Sequence, residues 1–186
     1  MLDDLDKLNW SALKTAHGDA SHIPGAIRGL IAEDKQTREM SYWKLENYVV
    51  LQSDLYEAAF YVVPFLLEIL SSDIKEGRER VYDLIFEIGN GYAPKRYKIK
   101  NLDGELTSLA EACRASVIKG MEVYINEVQD KTSQAREKAL DVLFSLEEKW
   151  NTVLDSLRTI YLDEQDEIFK KRVYEVLEET SFGVGE

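Results

Sequence analysis

Two histidines, one cysteine and an excess of carboxylates bound the chemistry open to this chain. His17 and His22 flank Gly-Asp-Ala-Ser, with Asp19 between them. Zinc needs three or four convergent ligands. Two histidines and an acid on one turn, with no cysteine near them in sequence, fall short, so an ordinary turn between elements is expected and no metal is assigned. Cys113 would need a neighbouring histidine and a populated thiolate to act as a nucleophile. It sits instead in Leu-Ala-Glu-Ala-Cys-Arg-Ala-Ser-Val, the pattern of a packed helical face, and a structural cysteine is expected. Gly89-Asn90-Gly91 is too short to cradle a phosphate and has no following Lys-Ser/Thr. With 35 acids in the chain, pairs at hydrolase-like spacing are unavoidable, so they single out no acid–base couple. The expectation is no catalytic residue, no cofactor and no enzyme.

Two polar features are more distinctive. Tyr92-Ala-Pro-Lys95-Arg96-Tyr97-Lys98-Ile-Lys100 alternates four cations with tyrosine and isoleucine. Such a segment could stack tyrosines on bases and pair lysines with phosphates. It could grip an acidic protein surface, where Tyr and Arg make strong anchors. It could also fold back onto acidic helices of its own chain. Trp43, with Glu46 and Asn47, lies beside the stripe Tyr42, Leu45, Val49. If that stripe packs inward, Trp43 faces an open groove; the other outcome is a tryptophan packed on the neighbouring helix pair.

Composition narrows the field. The 186 residues are 45% hydrophobic, enough for a substantial core, and the formal net charge is −12. An acidic surface repels nucleic acid and anionic membranes and attracts basic partners. The charge is uneven: residues 1–88 hold 16 acids against 9 bases, 89–121 hold 3 against 6, and 122–186 hold 16 against 8. A single cysteine permits no intrachain disulfide and fits a reducing compartment. The acidic start Met1-Leu2-Asp3-Asp4 lacks the basic and apolar regions of a secretory signal. The longest apolar run, near Ala58–Leu67, is too short to span a bilayer. A cytoplasmic protein without membrane contact is expected.

The elements that must position these residues are helices. Apolar residues recur at three- and four-residue spacing almost throughout, and strand alternation is not sustained. Pro24 is followed by Arg38, Tyr42 and Leu45; Pro64 is followed at the same offsets by Arg78, Tyr82 and Ile85. Arg136, Leu140 and Leu143 repeat the pattern, as do Lys170, Tyr174 and Leu177. Repetition at this length signals stacked helical hairpins, none of which can bury its apolar face alone. The expected hairpins span about 22–50, 54–89, 107–149 and 151–180, with a loop insertion at 90–105, all in one domain. A short helix is expected over Trp10–His17, a bend or break at Pro64, and a helix from Ser108 to about Val128. Expected caps are Ser21, Asp73 with Glu76, Ser108 with Glu111, Thr132 or Ser133, Asn151 and Asp163.

Ile23-Pro24-Gly-Ala-Ile-Arg-Gly-Leu30, Tyr56-Glu-Ala-Ala-Phe-Tyr-Val-Val-Pro64-Phe-Leu-Leu67 and the recurring basic residue resemble the HEAT-repeat family, in the form found in small bacterial proteins of uncharacterised role. Asp34 before Arg38 and Asp166 before Lys170 are similar to the family's turn pattern. The basic positions are unevenly spaced, at 40, 58 and 34 residues, and Lys170 stands where the other copies have arginine. The resemblance implies an all-α, right-handed superhelix of about four antiparallel helix pairs, with second helices lining the inner surface. It implies binding rather than catalysis. The expected function is a protein-interaction module acting through its concave acidic surface, the basic loop 92–100, or both. Its expected partner is a basic protein, such as a toxin neutralised by an immunity protein. A DNA-base glycosylase on the same scaffold and a subunit of a larger assembly are the alternatives; nucleic acid is the less expected partner on charge.

Overall fold

The structure is a computed structural model that describes residues 2–100 and 104–183, with side chains as far as residue 179. Residues 101–103 of the expected insertion therefore lie outside the described residues. The chain is mostly helical and divides into two compact units, residues 1–120 and 121–186.

In the first unit, α1 (Ile23–Gly29) pairs with α2 (Lys35–Val49), and α3 (Glu57–Leu70) pairs with α4 (Arg78–Asn90). α5 (Leu109–Ile118) packs on both α3 and α4. Pro24 opens α1, where its missing N–H costs little. α3 is the centre of this unit. Ala58, Ala59, Phe60, Val62, Val63, Phe65, Leu66, Ile69 and Leu70 are all buried, around most of its circumference. The expected break at Pro64 does not occur, for α3 runs through it. An internal proline costs about 3 kcal/mol, whereas each fully buried large apolar side chain contributes about 1.5–3 kcal/mol. The packing therefore outweighs the proline, whose exposed ring displaces nothing from the core.

In the second unit, α6 (Met121–Gln129) pairs with α7 (Arg136–Ser145), and α8 (Trp150–Asp163) with α9 (Glu167–Gly183). α7 also meets α9, and α6 meets α8. The expected single helix from Ser108 to Val128 is thus two helices, parted at Lys119-Gly120. Glycine is a poor helix former, and that residue was the available signal.

In all four copies the recurring basic residue bonds backbone carbonyls at the end of the first helix or in the turn after it. Arg38 donates from Nη1 to the carbonyls of Ala32 and Glu33, both at 2.7 Å, in the turn after α1. Arg78 donates to the Leu70, Ile74 and Ser72 carbonyls at 2.8, 3.1 and 3.4 Å. Arg136 donates from Nε to the Val128 carbonyl at 2.9 Å, and Lys170 from Nζ to that of Glu164 at 3.2 Å. The last carbonyls of a helix have no partner within it and form the negative end of its dipole. Arg78 and Arg136 supply that partner to Leu70 and Val128 in the last turns of α3 and α6, whereas Arg38 and Lys170 bond carbonyls just beyond the helix ends and brace the turns there. The acid four residues earlier is an N-cap. Asp34 accepts from the Thr37 N–H at 2.7 Å, and Asp166 from the Ile168 and Phe169 N–H groups at 2.9 and 3.1 Å.

Several expected caps are displaced. α4 starts after Gly77, in the left-handed region at φ 79°, so Asp73 and Glu76 precede the helix instead of capping it. Asp163 ends α8 while Asp166 caps α9; Asn151 lies inside α8. Ser21 caps nothing, because α1 follows a helical His22 without a side-chain cap. Ser133 accepts from the Ala135 N–H at 3.0 Å, just ahead of α7. The Ser108–Glu111 capping box forms as expected.

Two short hairpins of strands were not anticipated. In place of a helix over Trp10–His17 there is a 3-10 turn at Trp10–Ala12, followed by β1 (Lys14–Thr15) paired with β2 (Gly18–Asp19). Tertiary bonds hold this segment: Trp10 Nε1 donates to the Leu5 carbonyl at 2.6 Å, and the Ala16 N–H to Tyr48 at 2.9 Å. The second pairing is β3 (Lys98–Lys100) with β4 (Leu106–Ser108), antiparallel, with Lys98 opposite Ser108 and Lys100 opposite Leu106.

Candidate functional site

α2 and α4, the second helices of the first two hairpins, lie side by side. Arg80 on α4 makes a two-pronged bond to Glu39 on α2, at 2.9 and 2.7 Å, and a third to Asp83 at 3.2 Å. Its guanidinium lies 4.5 Å from the centre of the Tyr42 ring, and Trp43 packs edge-on against Tyr42 at 5.0 Å. The bond to Arg80 holds the Glu39 carboxyl below its usual range. Burial pushes the Tyr42 phenol up.

One turn on, the balance reverses. Glu46 faces Glu87 across the two helices; burial and then the Glu87 charge raise its carboxyl pKa. Among the described residues neither has a cationic partner. Trp43, half exposed at 52%, is three residues before Glu46 and so on the same side of α2. The packed stripe Tyr42, Leu45, Val49 is buried as expected, which leaves Trp43 open. Asn47 is spent internally, its amide donating to the Trp43 carbonyl at 2.7 Å.

The loop residues sit elsewhere on this unit. Tyr92 is 63% exposed, with its backbone paired to Ser53 and Leu55. Tyr97 turns back to α3: burial and then the Glu57 charge raise its phenol pKa, and its hydroxyl hydrogen-bonds that carboxylate. Glu57 also accepts from the Lys14 N–H at 3.1 Å. Lys95, Arg96 and Lys98 are exposed, while Ile99 is buried. Among the described residues no hydrogen bond or ring contact joins the loop group to Trp43, Glu46 and Asn47. Arg80, Glu39 and Glu87 were missed at the level of sequence. Their signal was the spacing, since Glu39–Arg80 and Glu46–Glu87 are both separated by 41 residues, close to the repeat length.

The histidines flank one ring. His17 and His22 both stand edge-on to Tyr48, at 5.2 and 4.3 Å. Among the described residues no group of three or more His, Cys, Asp or Glu is placed to hold a metal. His22 Nε2 is buried without a hydrogen-bond partner. Burial lowers its pKa below the usual 6.5; Lys44 adds to the effect and Asp19 opposes it. The unfolded chain therefore takes up this proton first as the pH falls below 6.5, and stability declines until the depressed folded pKa is passed. His22→Phe is expected to flatten the fall in urea midpoint between about pH 7 and 5. A profile as steep as wild type's would contradict this.

Cys113 is fully buried, and burial pushes its thiol up to about 12. An aromatic disulfide reagent is expected to label it only after unfolding in urea; rapid labelling of the native chain would refute that. In the second unit a cavity of about 290 Å³ is lined by Gln129, Lys131, Arg136, Thr159, Ile160, Asp163 and Glu164. Its charges are already matched, Arg136 with Glu164 and Lys131 with Asp163.

No protein-family model matches this chain, and no curated protein matches it in sequence. No helix among the described residues is long and apolar enough to cross a membrane.

Proposed function

We propose that this chain is a non-enzymatic, protein-binding module of HEAT-like helical repeats, and that the α2–α4 face takes a basic segment of a partner protein. The observation that carries the proposal is the half-exposed Trp43 on the same side of α2 as Glu46, which has Glu87 nearby, two carboxylates with no cationic partner among the described residues. An open aromatic next to unneutralised carboxylates suits a lysine or arginine side chain. The ring face attracts the cation, and the charge pair relieves the Glu87 repulsion that adds to burial in raising the Glu46 pKa. The repeats supply the backing, because the basic residue of each second helix is bonded to the end of its first helix or to the turn after it. A toxin-like basic protein and its cytoplasmic neutralising partner is one form this pairing takes.

The test uses the protein with its three tryptophan indoles labelled with nitrogen-15, titrated with an arginine-containing basic peptide and, separately, with an acidic peptide of equal length. The Trp43 indole signal, assigned by its loss in Trp43→Phe, is expected to shift with the basic peptide alone. Trp10 and Trp150 should stay in place, since Trp10 is buried in the first unit and Trp150 is stacked on Phe144 in the second. No shift at Trp43, or an equal shift with the acidic peptide, would remove the basis of the proposal.

A further inference from the structure

From the β3–β4 ribbon and the segment leading into it, we infer a second docking surface, specific for an acidic peptide segment that carries an apolar side chain. The ribbon is firmly seated. Ile99 is buried beneath it, the Leu109 N–H donates to the Tyr97 carbonyl at 3.1 Å, and the Ser108–Glu111 capping box ties β4 to α5. What it presents outward is basic. Lys95, Arg96, Lys98 and Lys100 are all exposed. Lys98 has the Glu111 carboxylate nearby, and among the described residues Lys95, Arg96 and Lys100 have no ion-pair partner. In a chain with 35 acids and a net charge of −12, cations left unmatched at one place make a local patch of opposite potential.

Charge alone has a simpler use, since lysines on a short exposed strand discourage edge-to-edge aggregation. Leu106 tells against that use. It lies opposite Lys100, and residues two apart share a face of a strand, so Lys98, Lys100 and Leu106 share the outer face. Leu106 is 68% exposed. A ribbon guarded only for solubility would not set a bare leucine among its lysines. A leucine flanked by cations matches an acidic segment with an apolar residue in its middle: the carboxylates meet the lysines and the apolar groups cover each other. Nucleic acid fits less well. Four cations on a chain of −12 give little counterion release. Tyr97 is held by Glu57 instead of being free to stack, and a leucine gains nothing from a phosphate backbone.

The test uses the full chain and three probes: an acidic octapeptide with one central leucine, the same peptide with alanine in place of that leucine, and a single-stranded oligonucleotide of equal charge. The leucine peptide is expected to bind wild type, more weakly as salt rises. Its affinity should fall roughly tenfold in Lys95→Glu/Arg96→Glu and measurably in Leu106→Ser, with melting temperatures unchanged in both variants. The alanine peptide should bind wild type more weakly and be indifferent to Leu106→Ser. Any of three results would overturn the inference: no binding of the leucine peptide, binding unaltered by the variants, or tighter binding of the oligonucleotide. Glu46→Lys/Glu87→Lys should leave this affinity intact or raise it, so the ribbon and the α2–α4 face can fail separately.

Discussion

Replacing Arg136 with methionine is expected to destabilise the unit of residues 121–186 by about 3–5 kcal/mol, the usual loss when one partner of a buried ion pair is removed. The Arg136 and Glu164 side chains are 9% and 2% exposed, and they are hydrogen-bonded to each other. Burial pushes the Glu164 carboxyl up. The Asp166 N–H, Arg136 and the Gln165 N–H more than offset it and hold the pKa at about 2. The guanidinium also lies 3.8 Å from the centre of the Phe169 ring and bonds the Val128 carbonyl, so one side chain joins α6, α7 and the start of α9. Methionine keeps the stem and its contact with Phe169 but leaves Glu164 charged and buried with only two backbone donors. The sign with pH follows. A carboxyl whose folded pKa is depressed contributes stability above its ordinary value of 4.5, and that stability is lost as the pH falls through about 2. The gap between variant and wild type should therefore narrow in acid. Urea unfolding followed at Trp150, which stacks on Phe144 within this unit, reads both effects. A deficit under about 1 kcal/mol at neutral pH, the range of a surface pair, would show that the pair is not buried in solution.

Gly77→Ala is expected to cost the first unit about 2–3 kcal/mol, more than the 1–2 kcal/mol of a left-handed residue alone. Gly77 has φ 79°, and a Cβ there would stand 2.4 Å from the Leu30 carbonyl and 3.0 Å from Arg38 Cδ. Neither neighbour yields cheaply: one is backbone, and the other belongs to the side chain that closes the first hairpin. Gly104→Ala is the control. Its φ is 82°, with nothing among the described residues within 4 Å of the added carbon, so it should show the conformational cost only. Equal losses in the two variants would mean that the turn before α4 does not rest on the first hairpin as closely as the structure has it.

These two positions show what the sequence could and could not convey. The basic residue of each copy was legible because a helical hairpin repeats its own geometry. Each hairpin leaves carbonyls without partners at the end of its first helix or in the turn after it, and Arg38, Arg78, Arg136 and Lys170 each bond such carbonyls. Asp34 and Asp166 stood out only as part of a turn pattern, and Asp163 was expected to cap α9 where Asp166 does; Asp73 and Glu76 had the spacing without the role, since a left-handed Gly77 starts α4 later. The N-terminal segment was illegible because its partners are distant in sequence. The Tyr48 carbonyl and the Glu57 carboxylate, on α2 and α3, decide that residues 14–19 form strands. At the candidate site, the sequence left Trp43 between an open groove and a packed position, and the structure leaves it half exposed. The Arg80 clasp and the Glu46–Glu87 opposition arise only when two copies stack, and their 41-residue spacing becomes meaningful only then.

The claim that recognition lies on the α2–α4 face, apart from the residues that build the repeats, is tested most directly by the affinity of Glu46→Lys/Glu87→Lys for the basic peptide, measured by calorimetry alongside the melting temperature. Reversing both charges leaves a like-charge contact in the fold, now between two lysines, but turns the attraction for the ligand into repulsion. The account predicts that binding is lost while the melting temperature stays close to that of wild type. Binding retained at wild-type strength would place recognition elsewhere, and binding lost together with the fold would mean that these carboxylates build the scaffold.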